Sequence, residues 1–150
     1  MQSLKWMVLL IVSLVTADAA ETKAKFVGGT LANFKSGQDG VLGMNRAEVM
    51  SFGFRQELVE IPYAQVRSLE YGQKVDRRYL EALLISPMFL LAKKRDHYLT
   101  IHFRDSKGSD QAIVLQLPKS IVRPTLASLE ARTGLKVVVQ DDEARKTYRS

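Results

Sequence analysis

The chain has 150 residues, 22 of them basic and 16 acidic, for a formal charge of +6, with 46% apolar and 25% charged residues. Those proportions exclude a disordered or collagen-like chain, and the length suits one domain of ordinary size. Cysteine is absent, which excludes disulfides, thiolate metal sites and a cysteine nucleophile.

The N-terminus reads as an export address. Lys5 supplies a positive start, Trp6 to Val15 form an apolar run broken by Ser13, and Ala17-Asp18-Ala19 places small residues at a cleavage site. This pattern predicts a signal peptide over residues 1–19, too short in its apolar run for a permanent membrane span. The expected location is the periplasm, the cell envelope or the medium.

The next hundred residues read as short strands. Lys25 to Leu31 is the first, and its Gly28-Gly29 pair predicts a bulge or a close backbone approach. Asn33 to Gly40 is rich in turn formers and predicts a loop. Val41 to Asn45, Glu48 to Phe54, Leu58 to Ile61 and Arg67 to Gly72 follow, each with apolar alternation or a turn at its end. Pro62 lacks an N–H, so a bend or a sheet edge is expected there. His97 to Arg104 alternates Leu99, Ile101 and Phe103 with polar residues, and Gln111 to Leu117 is its hairpin partner.

The period then changes. Val122, Leu126 and Leu129 form one helical stripe, Pro124 suits a first turn, Arg132 suits the last, and Gly134 suits a left-handed C-cap. Leu135 to Gln140 reads as extended. Residues 141–150 are charged and without apolar period, and are expected to be a flexible tail. The fold class expected is mainly β, a roll or barrel of about seven strands closed by a C-terminal helix, with one domain over residues 20–140.

Two stretches resemble bacterial relatives of the pleckstrin-homology and GRAM-like domains. One is Ile61-Pro62-Tyr63-Ala64-Gln65-Val66 leading into Ser68-Leu69-Glu70-Tyr71; the other is the closing order of strand, hairpin, strand and helix. The resemblance covers residues 24–134. It implies a small exported bacterial protein with a pleckstrin-homology-like roll, and it brings no catalytic residues with it.

The segment over residues 76–96 (DRRYLEALLISPMFLLAKKRD) stands apart. Its large apolar side chains lie between Arg77 and Arg78 on one side and Lys93, Lys94 and Arg95 on the other. Pro87 interrupts any single helix. Burying one such side chain is worth roughly 1.5–3 kcal/mol, so something is expected to cover the segment: its own domain, a protein partner or second copy, or an anionic membrane surface. Candidate contacts are Arg77, Arg78, Leu84, Phe89, Lys93, Lys94 and Arg95. From Lys74 to Lys107 there are eight basic and four acidic residues, which suits anionic lipid.

Chemistry is hard to place. His97 and His102 stand five apart, on opposite faces of a strand, and do not converge on a metal. No Gly-x-Ser-x-Gly elbow and no phosphate-binding glycine loop is present. No catalytic, metal or cofactor residues are expected, and nucleic acid is not an expected partner, since no recognition helix or aromatic platform is legible. The reading is a non-catalytic interaction or scaffold module of the bacterial envelope, with a peripheral lipid binder and a hydrolase lacking any recognisable motif as alternatives.

Overall fold

The computed structural model describes residues 21–75, 82–91 and 95–150. The signal peptide expected over residues 1–19 therefore lies outside the described residues, as do Arg77, Arg78, Lys93 and Lys94.

Among the described residues, eight strands form one sheet in the order β4-β3-β2-β1-β7-β6-β5-β8. They are β1 (Thr22–Gly29), β2 (Gln38–Gly43), β3 (Val49–Phe54), β4 (Glu57–Pro62), β5 (Val66–Gly72), β6 (His97–Arg104), β7 (Asp110–Leu117) and β8 (Val138–Val139). All neighbours pair antiparallel except β5 and β8. Helix α1 (Met88–Leu91) lies in the 76–96 segment, α2 (Val122–Thr133) follows β7, and α3 (Asp142–Arg149) ends the chain. The fold is mainly β with C-terminal helix, a β+α class.

Alternation explains most of this. Ala24 and Phe26 of β1, Met50 and Phe52 of β3, Leu69 and Tyr71 of β5, Leu99 and Ile101 of β6 and Ile113 and Leu115 of β7 all enter one core. Residues from both ends of the strand order share that core, so the sheet curls around it. Helix α2 closes it with Val122, Leu126 and Leu129. That helix stops at Gly134, whose φ of 71° is left-handed, a conformation glycine adopts without steric cost.

Pro62 ends β4, the outermost strand, where a missing donor costs no ladder bond. The Gly28-Gly29 pair does both things expected of it. The β1–β7 register shifts between Phe26 and Gly28, and the backbone of the inserted segment comes against Gly28.

Three expectations are corrected. Strand β2 begins at Gln38, inside the stretch expected as loop, because Gln38, Asp39 and Gly40 pair with Phe26, Lys25 and Ala24. Strand β6 is buried on both faces at Tyr98 and Thr100 as well as at Leu99 and Ile101, because the inserted segment covers the outer side of the sheet. The stretch 141–150, expected as a flexible tail, holds helix α3 over Asp142–Arg149. Asp141 caps α3 by accepting from the Ala144 amide at 2.6 Å, its second oxygen accepts from the Gln73 amide at 2.7 Å, and Ala144 is fully buried. A cap, a tertiary hydrogen bond and the core contacts of Ala144 and Tyr148, one turn apart, stand in for a longer apolar stripe.

Candidate functional site

The inserted segment packs on the outer face of its own sheet. Leu83 and Ile85 turn inward and join Val27, Val75, Tyr98, Ala112 and Val114 in a second apolar cluster, with Phe89 partly buried against it. The backbone is held too. The Gly29 amide donates to the Leu83 carbonyl at 2.6 Å, and the Ser86 amide donates to the Ser36 hydroxyl at 3.2 Å. Part of the apolar strip is thus covered by the domain itself. Leu84, between the two buried residues, is 77% exposed with a φ of 50°, and Met88 is 67% exposed.

Of the residues singled out in the sequence, Leu84 is on the surface, Phe89 supports the second cluster, and Arg95 is exposed and paired with Glu143 of α3. Arg95 also reaches a different feature, a groove of about 810 Å³ across β3, β2, β1, the end of β7 and the start of β6.

The alternation that buries Ala24 and Phe26 turns Lys23 and Lys25 to the opposite face. Across the ladder, Val41 lies opposite Lys23, and Asp39 lies opposite Lys25. Gly53 lies opposite Val41 and brings no side chain, which keeps that part of the floor low. Arg55 stands at the β3–β4 turn with its guanidinium 5.2 Å from the Phe54 ring centre, and Pro118 and Lys119 close the other end.

The groove is electropositive. Lys23, Lys25, Arg55, Arg95 and Lys119 line it against Asp39 and Asp96, an excess of three positive charges among the described residues. Lys25 has a partner, Asp39, at 3.8 Å, and Arg95 has Glu143. Lys23, Arg55 and Lys119 make no ion pair with a described residue. Val41, Phe54 and Pro118 add apolar surface beside the charges.

His97 borders the groove at the start of β6, and its Nδ1 shares a 2.6 Å hydrogen bond with the hydroxyl of buried Tyr71. Burial holds the imidazole below its ordinary value of 6.5, and Lys119 adds to the effect, against the opposing pull of Asp96 and Asp141. Burial and Lys119 thus both favour the neutral ring. Burial, with help from Asp96, pushes the neighbouring Tyr98 hydroxyl up to about 12.

Among the described residues no three His, Asp or Glu side chains gather as a metal site, and no helix is long and apolar enough to cross a membrane. His97 and His102 fall on opposite faces, as their spacing requires: His97 contacts Tyr71, while His102 faces Glu70 at 3.6 Å.

The sequence reading passed over Lys23, Lys25, Arg55 and Lys119. One sign was present: Lys23-Ala24-Lys25-Phe26 places cations at alternate positions of a strand. Arg55 and Lys119 carried no such sign, since only the strand order brings them to the same face. What the fold and groove define is a small β+α domain with a basic concave surface. Set beside known proteins, the chain matches no family model and no curated protein.

Proposed function

We propose that this is an exported, non-catalytic interaction module of the bacterial envelope, built on a pleckstrin-homology-like roll, which engages its partner through the basic groove. The observation that carries the reading is the groove itself, in which three of the five cations make no ion pair with a described residue. Surface cations are usually scattered and solvated; several directed into one concavity raise the local concentration of an anionic partner. The pleckstrin-homology-like part of the reading rests on the Ile61–Tyr71 sequence resemblance; the β-rich domain with α2 after β7 is compatible with it.

The test is photo-crosslinking in a bacterium that expresses the full chain with its leader. A photoreactive residue is placed at Val41 in the groove or at exposed Arg123 on α2. The reading expects a discrete adduct at Val41 that Lys23→Glu abolishes, and none at Arg123. Equal labelling at both positions, or no adduct at Val41, overturns it. Turnover of ester, peptide or glycoside substrates by the purified protein would establish the hydrolase reading instead.

A second reading rests on Leu84 and Met88, both exposed on the inserted segment. Apolar side chains in a segment flanked in sequence by Arg77, Arg78, Lys93 and Lys94 suit shallow docking at an anionic lipid surface. Sedimentation with vesicles containing phosphatidylglycerol at low salt, lost in Leu84→Asp, would establish it. A protein that stays in the supernatant would remove it.

A further inference from the structure

The form of the groove says what kind of anion it suits. A site for one phosphate gathers its donors around a point. Here the cations are strung out, with Arg55 at the β3–β4 turn, Lys23 and Lys25 on β1, and Lys119 beyond β7. The groove crosses β3, β2, β1 and β7, strands that lie about 4.8 Å apart, so its length is roughly 14 Å, the reach of about four or five extended residues. Asp39 lies within the row and neutralises Lys25 in part. A compact polyanion would meet that carboxylate head-on, whereas a chain with charges at intervals can step past it.

The apolar surface decides between classes of chain. Val41 is 39% exposed on this face, and the Phe54 ring, partly buried against the core, lies under the Arg55 guanidinium at the groove end. An acidic polysaccharide has only the C–H faces of its rings for such surface, while a peptide that alternates acidic and apolar side chains presents whole apolar side chains to it between its charges. Arg55 adds an independent point. Its φ of 54° is left-handed, a conformation that costs a residue with a Cβ roughly 1–2 kcal/mol and that glycine or asparagine would occupy more cheaply. The contact of its guanidinium with the Phe54 ring offsets part of that cost, and a cation useful at the groove mouth supplies a further reason for arginine at this turn.

We propose that the groove takes an extended acidic polypeptide segment, its carboxylates set against Lys23, Arg55 and Lys119 and its apolar side chains against Val41 and Phe54. The assignment rests on the interaction-module reading and narrows it to one class of partner.

The experiment measures fluorescence anisotropy of a fluorescein-labelled Glu-Leu-Glu-Leu-Glu-Leu peptide titrated with the processed protein. Lys-Leu and Ser-Leu versions serve as controls, and polygalacturonate, inorganic phosphate and phosphatidylglycerol vesicles as competitors. Binding of the acidic peptide alone, weakened by salt, is expected. Lys23→Glu combined with Lys119→Glu should weaken it at least tenfold. Arg55→Gly should weaken it several-fold while leaving the urea midpoint equal or higher, which separates loss of the guanidinium from loss of the fold. Failure of the acidic peptide to bind, equal binding of the Ser-Leu peptide, unchanged affinity in these variants, or displacement by phosphate, polygalacturonate or vesicles at matched charge overturns the proposal. The crosslinking result at Val41 stands apart from this: an adduct there together with no peptide binding would retain the module and reject the acidic segment.

Discussion

Tyr71 and His97 share a 2.6 Å hydrogen bond between β5 and β6, with their rings stacked at an interplanar angle of 11°. Tyr71 is wholly buried and His97 nearly so. Each satisfies a polar atom of the other at the border between core and groove. Tyr71→Phe removes one partner and leaves Nδ1 unsatisfied, at a cost of about 1–3 kcal/mol. Urea denaturation at pH 7.5 checks this.

The same pair sets an acid response. Burial lowers the folded-state value of His97 below 6.5, so the unfolded chain takes up the proton first. Stability is unaffected by this group above about pH 6.5, falls as pH drops below it, and levels off below the folded value. The slope approaches 1.36 kcal/mol per pH unit at most. The difference in urea midpoints between wild type and His97→Gln, followed from pH 7.5 to pH 5, should shrink in step with that loss.

Gly28 is the point where the inserted segment meets the sheet. An added Cβ would collide with Ile85 Cγ1 and lie 2.6 Å from the Leu83 carbonyl oxygen. Gly28→Ala must push the segment outward, at about 1–3 kcal/mol. Hydrogen exchange should then quicken at the Gly29 amide, which donates to Leu83, while amides of β2 and β3 keep their protection.

Asp141 serves two elements at once. Asp141→Ala uncaps α3 and leaves the Gln73 amide without its acceptor. The combined cost is about 2 kcal/mol. Asp141→Asn keeps a capping oxygen and should recover much of it. Thermal unfolding followed by circular dichroism distinguishes the three proteins.

Leu84 holds a left-handed backbone and is 77% exposed. Leu84→Asn relieves that conformation without emptying any core site, and should stabilise the protein by about 1 kcal/mol. The measurement is the urea midpoint of the two proteins.

Much of the fold was legible in the chain because burial and alternation coincide. Leu99, Ile101 and Phe103, or Val122, Leu126 and Leu129, declare their faces by spacing alone. Helix α3 was missed because its apolar hold is only Ala144 and Tyr148, and the rest of it is polar. Asp141, Gln73 and Thr147 make contacts some 70 residues apart that no local pattern records. The inserted segment was recognised as needing cover, but which residues turn inward depended on the backbone at Leu84 and on the small residue at position 28. The groove was nearly silent in the sequence. Lys23 and Lys25 meet Arg55 and Lys119 only because β1 sits between β2 and β7 in the sheet.

That central place of β1 also dictates timing. Lys25 finds Gln116 and Phe26 finds Leu115 across the ladder, so the middle of the sheet stays open until β7 has been synthesised. The β1–β4 hairpins are local, whereas the β1–β7 ladder joins strands far apart in sequence and is the slower contact to make. Closure of the sheet thus waits on a strand that ends at Leu117, so the pairing that joins its two halves comes late in synthesis.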